Sequence, residues 1–358
     1  DALIKESAGI LEANRADVEQ AQDKPAHFID RLTLNEKRIA AMAEGLRELV
    51  KLPDPVGEVI ESWQNYCGLE IKKVRVPLGT IGIIYEARPN VTADAIGLCV
   101  KSGNAVILRG SKDAINSNKA IVKAASDALE REGFDSGCIG LVEDTSRESA
   151  GEMMRAVGMI DVLIPRGGKG LIESVVRNSQ VPVIETGAGN CHVYVEATAD
   201  FDMAEKIILN AKLSRPSVCN AAESLLVDED IAGKFLPRIL SKLAEKGVEI
   251  RGCEKTRQFY PQALEATEED MYAEYNDLII SVKVVSGVGE AIAYIEKYST
   301  HHSDAIVSSS EEAISRFFAG VDSAAVYAKA STRFTDGFEY GFGAEMGIST
   351  QKLHARGP

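Results

Sequence analysis

From Thr80 to Tyr327 the sequence alternates short apolar runs with helical periods, and few folds accommodate that rhythm. Thr80-Ile81-Gly82-Ile83-Ile84-Tyr85 is apolar almost throughout, as a strand is when both of its faces are covered. After it come a strand at 105–108, a helix at 115–130, a strand at 139–142, a helix at 149–157, a strand at 160–164, a helix at 171–176 and a closing run at 181–185. The rhythm then repeats. Strands at 191–195, 223–227, 278–285, 305–307 and 323–327 are separated by helical periods at 201–213, 231–245, 291–298 and 311–318. Parallel strands need crossovers and helices supply them, so the pattern predicts open, doubly wound α/β sheets. At 358 residues the chain exceeds one ordinary core. Two such blocks imply two domains with an active-site cleft between them, at 1–190 (with 328–345 returning) and 191–327.

Residues 1–66 read as a helical layer, interrupted by Pro53-Asp54-Pro55 and resuming over 56–66, and Lys72–Val76 alternates like a surface strand. The net charge of −14 argues against a general nucleic-acid-binding face, while leaving room for a local basic pocket. Six cysteines without a C-x-x-C pair point to reduced thiols in a cytoplasmic protein. Five histidines without ligand spacing make no case for a metal site. His192, His301 and His302 are expected to make structural hydrogen bonds. No apolar run is long enough to span a bilayer. The chain begins at Asp1 rather than Met and stops at Gly357-Pro358, so further terminal elements are expected.

Chemistry concentrates in a few connectors. Pro216 ends the helical run before it, which leaves Cys219 on a tight turn with Asn220 beside it and Arg215 just upstream. A thiol on such a turn, near cations and backbone N–H groups, suits a nucleophile, although a small buried cysteine is the ordinary alternative. Arg166-Gly167-Gly168-Lys169 lies between a strand and a helix, where glycines let backbone N–H groups approach an anion. Arg109 and Lys112 follow another strand at the carboxyl-end crevice and suit a phosphorylated ribose, or else a solvated loop. Glu185, in the linker between the blocks, is either a general base or a turn cap. Ser331-Thr332-Arg333 opens a polar loop whose arginine could take a carboxylate in a bidentate way, or form a surface pair with Asp336.

These pieces occur together in a recognisable order. The stretches VPLGTIGIIYEARPNVTADAIGLCVKSGNAVILRG (76–110), DVLIPRGG (161–168), NCHVYVEATAD (190–200), RPSVCNA (215–221), VDSAAVYAKASTRFTDG (321–337) and STQKLHARGP (349–358) resemble the aldehyde dehydrogenase superfamily, and within it the branch that reduces gamma-glutamyl phosphate. The resemblance implies an aldehyde dehydrogenase-like fold, with the first domain binding cofactor and the second carrying the catalytic cysteine. It makes Cys219 the nucleophile, with Asn220 and Glu185 in the catalytic set. Glu185 precedes Cys219 by 34 residues, the family's spacing for its water-activating glutamate. Arg109, Lys112, Arg166, Gly167, Gly168 and Glu274 become the cofactor set. Lys112 stands where NAD-preferring members carry a glutamate, so NADP(H) is implied. Ser331, Thr332, Arg333, Arg88 and Arg215 become the substrate set.

The implied reaction is NADPH-dependent reduction of gamma-glutamyl phosphate to glutamate 5-semialdehyde, through a Cys219 thioester, in proline biosynthesis. It releases phosphate and needs no water-activating base, which leaves Glu185 to tune the site or assist the reverse direction. The rival within the superfamily is a hydrolytic NAD(P)-dependent aldehyde dehydrogenase, which Glu185 would serve. An asparagine that forms part of the oxyanion hole in many members is replaced near Ala87. Asn90, another donor, or the Cys219 N–H with Asn220 takes the role. The resemblance also implies a homodimer or homotetramer, with 70–78 as arm and 346–358 as tail, and association with the upstream glutamate kinase.

Overall fold

The structure, a computed structural model, describes residues 1–342 and 345–353, with the backbone alone at Ala26, His27 and Lys169. It contains two compact units. The first is formed by 1–186 with 341–347, the second by 187–340 with the residues from 348 onward. Residues 328–340, expected to return to the first domain, lie with the second unit. The last part of the expected tail, 354–358, falls outside the described residues.

In the first unit, helices α1 (Ala2–Lys5), α2 (Ser7–Gln20), α3 (Ala26–Leu32) and α4 (Glu36–Lys51) form the N-terminal layer. Strands β1 (Val59–Gln64) and β2 (Glu70–Val74) form an antiparallel hairpin. The α/β part consists of β3 (Thr80–Tyr85), α5 (Pro89–Lys101), β4 (Ala105–Arg109), α6 (Ile115–Arg131), β5 (Ile139–Leu141), α7 (Arg147–Arg155), β6 (Val162–Arg166) and α8 (Lys169–Asn178). Its strands pair in parallel in the order β5-β4-β3-β6. Ile83, Val106, Leu108 and Ile164 fill one face of this sheet, and Ile84, Leu163, Met153 and Val175 the other. Both faces are therefore covered, which is why β3 can be apolar almost throughout.

The expected helix over 56–66 is instead β1 and the turn after it. The turn settles the matter. Asn65 Oδ1 accepts the backbone N–H groups of Cys67 and Leu69, and Gly68 takes a φ of 87°. That folds the β-branched pair Val59-Ile60 back against β2. The N-terminal layer also has a task at the sheet. The first residue before α6, Ala114, cannot cap it, and Asp17 of α2 does so from a distance. The buried Asp17 carboxylate accepts the N–H groups of Asn116 and Ser117 at 3.2 and 2.8 Å.

The second unit runs β7 (Cys191–Val195), α9 (Phe201–Leu213), β8 (Ala222–Asp228), α10 (Glu229–Glu245), β9 (Glu249–Gly252), α11 (Glu254–Phe259), β10 (Leu264–Glu265), α12 (Glu268–Met271), β11 (Ile279–Val285), α13 (Val288–Tyr298), β12 (Ser303–Val307), α14 (Glu311–Gly320) and β13 (Ala325–Ala328). Seven parallel strands stand in the order β10-β9-β11-β8-β7-β12-β13. The central strands β7, β8 and β12 are buried at every position. Strand β9 escapes a sequence reading because it lies near the sheet edge, where Glu249 and Arg251 are tolerated. No helix among the described residues is long and apolar enough to cross a membrane.

Candidate active site

Cys219 sits on the connector from α9 to β8, at the amino ends of the strands. Asp200 caps the start of α9 by accepting the Met203 N–H at 2.7 Å, and Pro216 follows its C-terminal end, so the chain must turn before β8 begins. The turn closes with the Ala221 N–H donating to the Val218 carbonyl at 2.9 Å.

Three further segments hold it. The Cys191 thiol at the start of β7 donates to the Cys219 carbonyl at 3.1 Å. Burial, with Asp304 and Cys219 nearby, pushes that thiol well above its ordinary range, so Cys191 stays a proton donor. Gly189 presses on the same carbonyl from the linker side. A Cβ there would lie 1.4 Å from the Cys219 oxygen and 2.7 Å from its Cα, so only glycine fits. Glu274 anchors Gly189 by accepting its N–H at 2.8 Å. The third segment is the loop at 331–335. Thr332 Oγ1 donates to the Asn220 carbonyl at 2.7 Å, and Asn220 Nδ2 donates to the Thr335 carbonyl at 2.9 Å. Thr335 is steadied in turn by Ser303 and Tyr327.

The expected substrate residues divide on this geometry. Ser331 and Thr332 are buried, and their hydroxyls serve the loop itself: Ser331 accepts the Arg333 N–H and Thr332 binds Asn220. Asn220 is also buried, with its amide turned toward the loop, which gives it a positioning part at Cys219. Arg333 is different. Its guanidinium is half-buried and donates to Ser214 Oγ at 3.1 Å and to Asn220 Oδ1, both neutral acceptors. Among the described residues no carboxylate pairs with it, whereas Arg38, Arg238 and Arg251 each have one. Arg215 is exposed and likewise has no ion pair among them. These cations gather after the C-terminal end of α9, the end of a helix that favours positive charge and disfavours a thiolate.

Lys212 and Glu223 flank the turn, one in the last turn of α9 and the other at the start of β8. Both side chains are fully buried and meet at 2.6 Å. Burial pushes the Glu223 carboxyl upward, and the Lys212 charge opposes it. Glu223 Oε1 also accepts the Asn276 N–H at 3.3 Å, two residues from Glu274. Sequence reasoning passed over this pair because a lysine and a glutamate 11 residues apart carry no signal until the turn brings them together. His192, read as structural, pairs with buried Asp304 at 2.9 Å.

The expected cofactor residues of the first unit lie at the carboxyl ends of β4 and β6. Strands β3 and β6 are neighbours from which the chain departs in opposite directions, the place where open sheets bind ligands. There Gly168 is the N-cap of α8, and Gly167 lies against the carboxyl group of Glu86, a neighbour the sequence did not announce. Burial pushes the carboxyl of Asp94 up to about 6, with Asn90 and Arg166 opposing. Arg109 is half-buried, and its Nη2 is turned onto the Thr145 and Ser146 carbonyls at 2.6 Å each. Lys112 is exposed, without an ion pair among the described residues. Asn90 is exposed on the first turn of α5 and faces Asp94 at 3.4 Å. Arg88 directly precedes α5, and Glu185 lies in the linker just before the unit boundary.

A nicotinamide dinucleotide needs donors at the end of β4 and an anion-tolerant turn after β6, and the residues fit it. Arg109 Nε and Asn118 Nδ2 are buried donors without a hydrogen-bond partner in the structure. Asn118 Nδ2 packs against Gly110, where a Cβ would lie 2.2 Å from it, so only glycine lets the chain leave β4 beside this donor.

One parallel α/β unit with such donors and a second α/β unit carrying a cysteine on a fixed turn are the parts of a nicotinamide-dependent dehydrogenase. The chain belongs to the aldehyde dehydrogenase family, whose sequence model matches residues 3–256. Within the family it is similar to gamma-glutamyl phosphate reductases. That of Carboxydothermus hydrogenoformans is 61% identical, with 98% of this chain and 85% of the relative covered. That of Thermoanaerobacter pseudethanolicus is 58% identical, with 100% and 87% covered. The crystal structure of gamma-glutamyl phosphate reductase from Thermotoga maritima superposes with a TM-score of 0.96 at 52% identity, covering 100% of this chain and 87% of that one.

Proposed function

We propose that the chain reduces gamma-glutamyl phosphate to glutamate 5-semialdehyde with release of phosphate, using NADPH, as a cytoplasmic enzyme of proline biosynthesis. The observation that carries this reading is the pairing of a firmly held Cys219 turn with Arg333, a half-buried guanidinium that, among the described residues, is held by neutral acceptors. An acidic amino-acid substrate supplies the missing carboxylate.

Cys219 Sγ attacks the acyl carbon, the C–O bond to phosphate breaks, and phosphate leaves with the electron pair. The product is a thioester on Cys219. When bound, the nicotinamide supplies the hydride that reduces the thioester carbonyl. The C–S bond then breaks, the aldehyde forms, and Cys219 returns as the thiolate. Arg333 holds the alpha-carboxylate throughout, with Arg215 and Arg88 as candidates for the phosphate. Donors around Cys219 stabilise the oxyanions by a few kcal/mol each. Lys112 and Arg109 would hold the phosphorylated ribose of the cofactor and the turn at Arg166-Gly167-Gly168 its pyrophosphate. Glu274, already fixed on Gly189, would hold the nicotinamide ribose.

The exposed hairpin supports a subunit role. Among the described residues strands β1 and β2 pair only with each other, and Val59, Ile60 and Trp63 of β1 and Leu69 just before β2 are exposed. A lone two-stranded hairpin is marginally stable in water, so a second copy covering it is the natural state. This supports a homodimer or homotetramer.

The central test is phosphate-dependent reduction of NADP⁺ by glutamate 5-semialdehyde. Cys219→Ala should lose at least about a thousandfold in kcat with its circular dichroism unchanged. Turnover near that of the unmodified protein would sink the mechanism, and oxidation without phosphate would turn the reading toward the hydrolytic dehydrogenases. Lys112→Glu should cut the NADPH-to-NADH ratio of kcat/KM by at least about tenfold, since it sets a like charge against the 2′-phosphate. A ratio that stays put would remove Lys112 from the cofactor set.

A further inference from the structure

Asn220 is the residue through which the nucleophile turn and the 331–335 loop meet. It is 4% exposed. Its Nδ2 donates to the Thr335 carbonyl at 2.9 Å, its carbonyl accepts from Thr332 Oγ1 at 2.7 Å, and its Oδ1 accepts from the Arg333 guanidinium. On its other side it is joined by one peptide bond to Cys219. No other residue in the structure both touches Arg333 and adjoins the nucleophile among the described contacts.

Resting on the reading of Arg333 as the carboxylate site, we infer that Asn220 is a specificity-determining positioning residue that couples carboxylate binding at Arg333 to the orientation of Cys219. The guanidinium is a planar fork with its hydrogens in fixed directions. An anion that draws the fork toward itself shifts the hydrogen bond to Asn220 Oδ1, and the buried amide has no solvent to substitute for it. The adjustment passes to the peptide that carries Cys219. Binding energy from a remote group of the substrate is then expressed at the reacting sulfur, so a substrate without the carboxylate loses kcat as well as affinity. An arginine that merely anchored the substrate would change KM alone. This arrangement also selects among acyl groups: an alkanal that reaches Cys219 finds the nucleophile turn in its resting orientation.

The test compares the full chain with Arg333→Met, Asn220→Ala and Asn220→Asp in NADP⁺-linked, phosphate-dependent oxidation of two probes, glutamate 5-semialdehyde and butanal. Arg333→Met should raise KM for the semialdehyde about a hundredfold, the loss of a charged hydrogen-bonded pair, and should lower its kcat as well, because the carboxylate can no longer act through Asn220. Asn220→Ala should lower kcat for the semialdehyde at least about tenfold more than for butanal, while KM for the semialdehyde moves less than about threefold. Asn220→Asp keeps the side-chain shape but loses the donor to the Thr335 carbonyl, so circular dichroism of both Asn220 variants separates a folding failure from a change in kcat. Asn220→Asp also supplies Arg333 with a built-in carboxylate, so it should raise KM for the semialdehyde and shrink the kcat advantage over butanal. Equal kcat losses on both aldehydes in both Asn220 variants, with Arg333→Met still raising KM, would overturn the coupling and leave the carboxylate reading standing. An unchanged KM in Arg333→Met would overturn the carboxylate reading and the coupling with it.

Discussion

The two units put their chemistry at opposite ends of their strands. In the first, Arg109 and Arg166 end β4 and β6, and Lys112 and Gly167 follow them, at carboxyl ends, where helix N-termini favour anions. Its polar groups are left in part unused: among the described residues Lys112 has no ion pair, and Arg109 Nε and Asn118 Nδ2 have no hydrogen-bond partner. In the second, Cys219 precedes β8, after the C-terminal end of a helix, where the backbone dipole offers an anion nothing. There the neighbouring polar groups are almost all engaged. Cys191, Gly189, Thr332, Thr335 and Arg333 converge on two residues. In the proposed roles, a diffusible ligand needs free donors to bind whereas a nucleophile needs a fixed position, and the two ends of the strands would supply these separately.

The sharpest way to break this contrast is Gly189→Ala. Its methyl group must displace the Cys219 carbonyl, so it should lower kcat at least about a hundredfold, the usual result of misplacing a reacting group by an ångström. In the first unit, Gly168→Ala meets nothing nearer than 3.6 Å, and its folding stability should change by less than about 0.5 kcal/mol. Equal effects from the two substitutions, in parallel turnover and urea-unfolding measurements, would erase the distinction between a crowded turn and an open one.

Lys212→Met comes next. It strands the Glu223 carboxyl without its buried partner and should destabilise the protein by about 3–5 kcal/mol in urea unfolding. Adding Glu223→Leu should recover most of that loss, because a buried pair is costly to half-remove and cheap to replace whole. If the double variant regains stability but not turnover, the pair orients the Cys219 turn. If it regains both, the pair is part of the core alone.

The smallest effect belongs to Asp94 in the first unit. Its folded carboxyl holds a proton up to about pH 6, against about 4 when unfolded. The folded state binds more protons in that window, so stability falls as pH rises through it and stays low above. Asp94→Asn removes the loss and should stabilise the protein by at most about 3 kcal/mol above that window, and not at all below it. Urea midpoints at pH values on either side would show it, and a gain that is the same at both would assign the effect to packing rather than charge.

Much of the molecule is legible in the chain itself. Pro216 ends α9 and puts Cys219 on a turn because proline cannot donate the next helical hydrogen bond, and this requires no tertiary information. The apolar run 80–85 declares a strand covered on both faces for the same local reason. Val59–Gln64 was not legible as a strand: its apolar spacing fits a helix as well, and its strand state depends on the Asn65 turn and on β2. The residues of the site divide similarly. Cys219 and Arg333 stand out by type and context. Cys191, Gly189, Thr335 and the Lys212–Glu223 pair do not, since each acts by contact with a residue far along the chain.

By itself, then, the amino-acid order determined the alternating elements, the turn that carries a thiol and the cations close to it in sequence. These follow from backbone geometry and periodicity over a few residues. Tertiary structure alone decided which groups are spent and which remain free. It buried the hydroxyls of Ser331 and Thr332, turned Arg109 onto two carbonyls and held Arg333 between neutral acceptors. A hydrogen bond is a relation between two places, and only the folded chain specifies both.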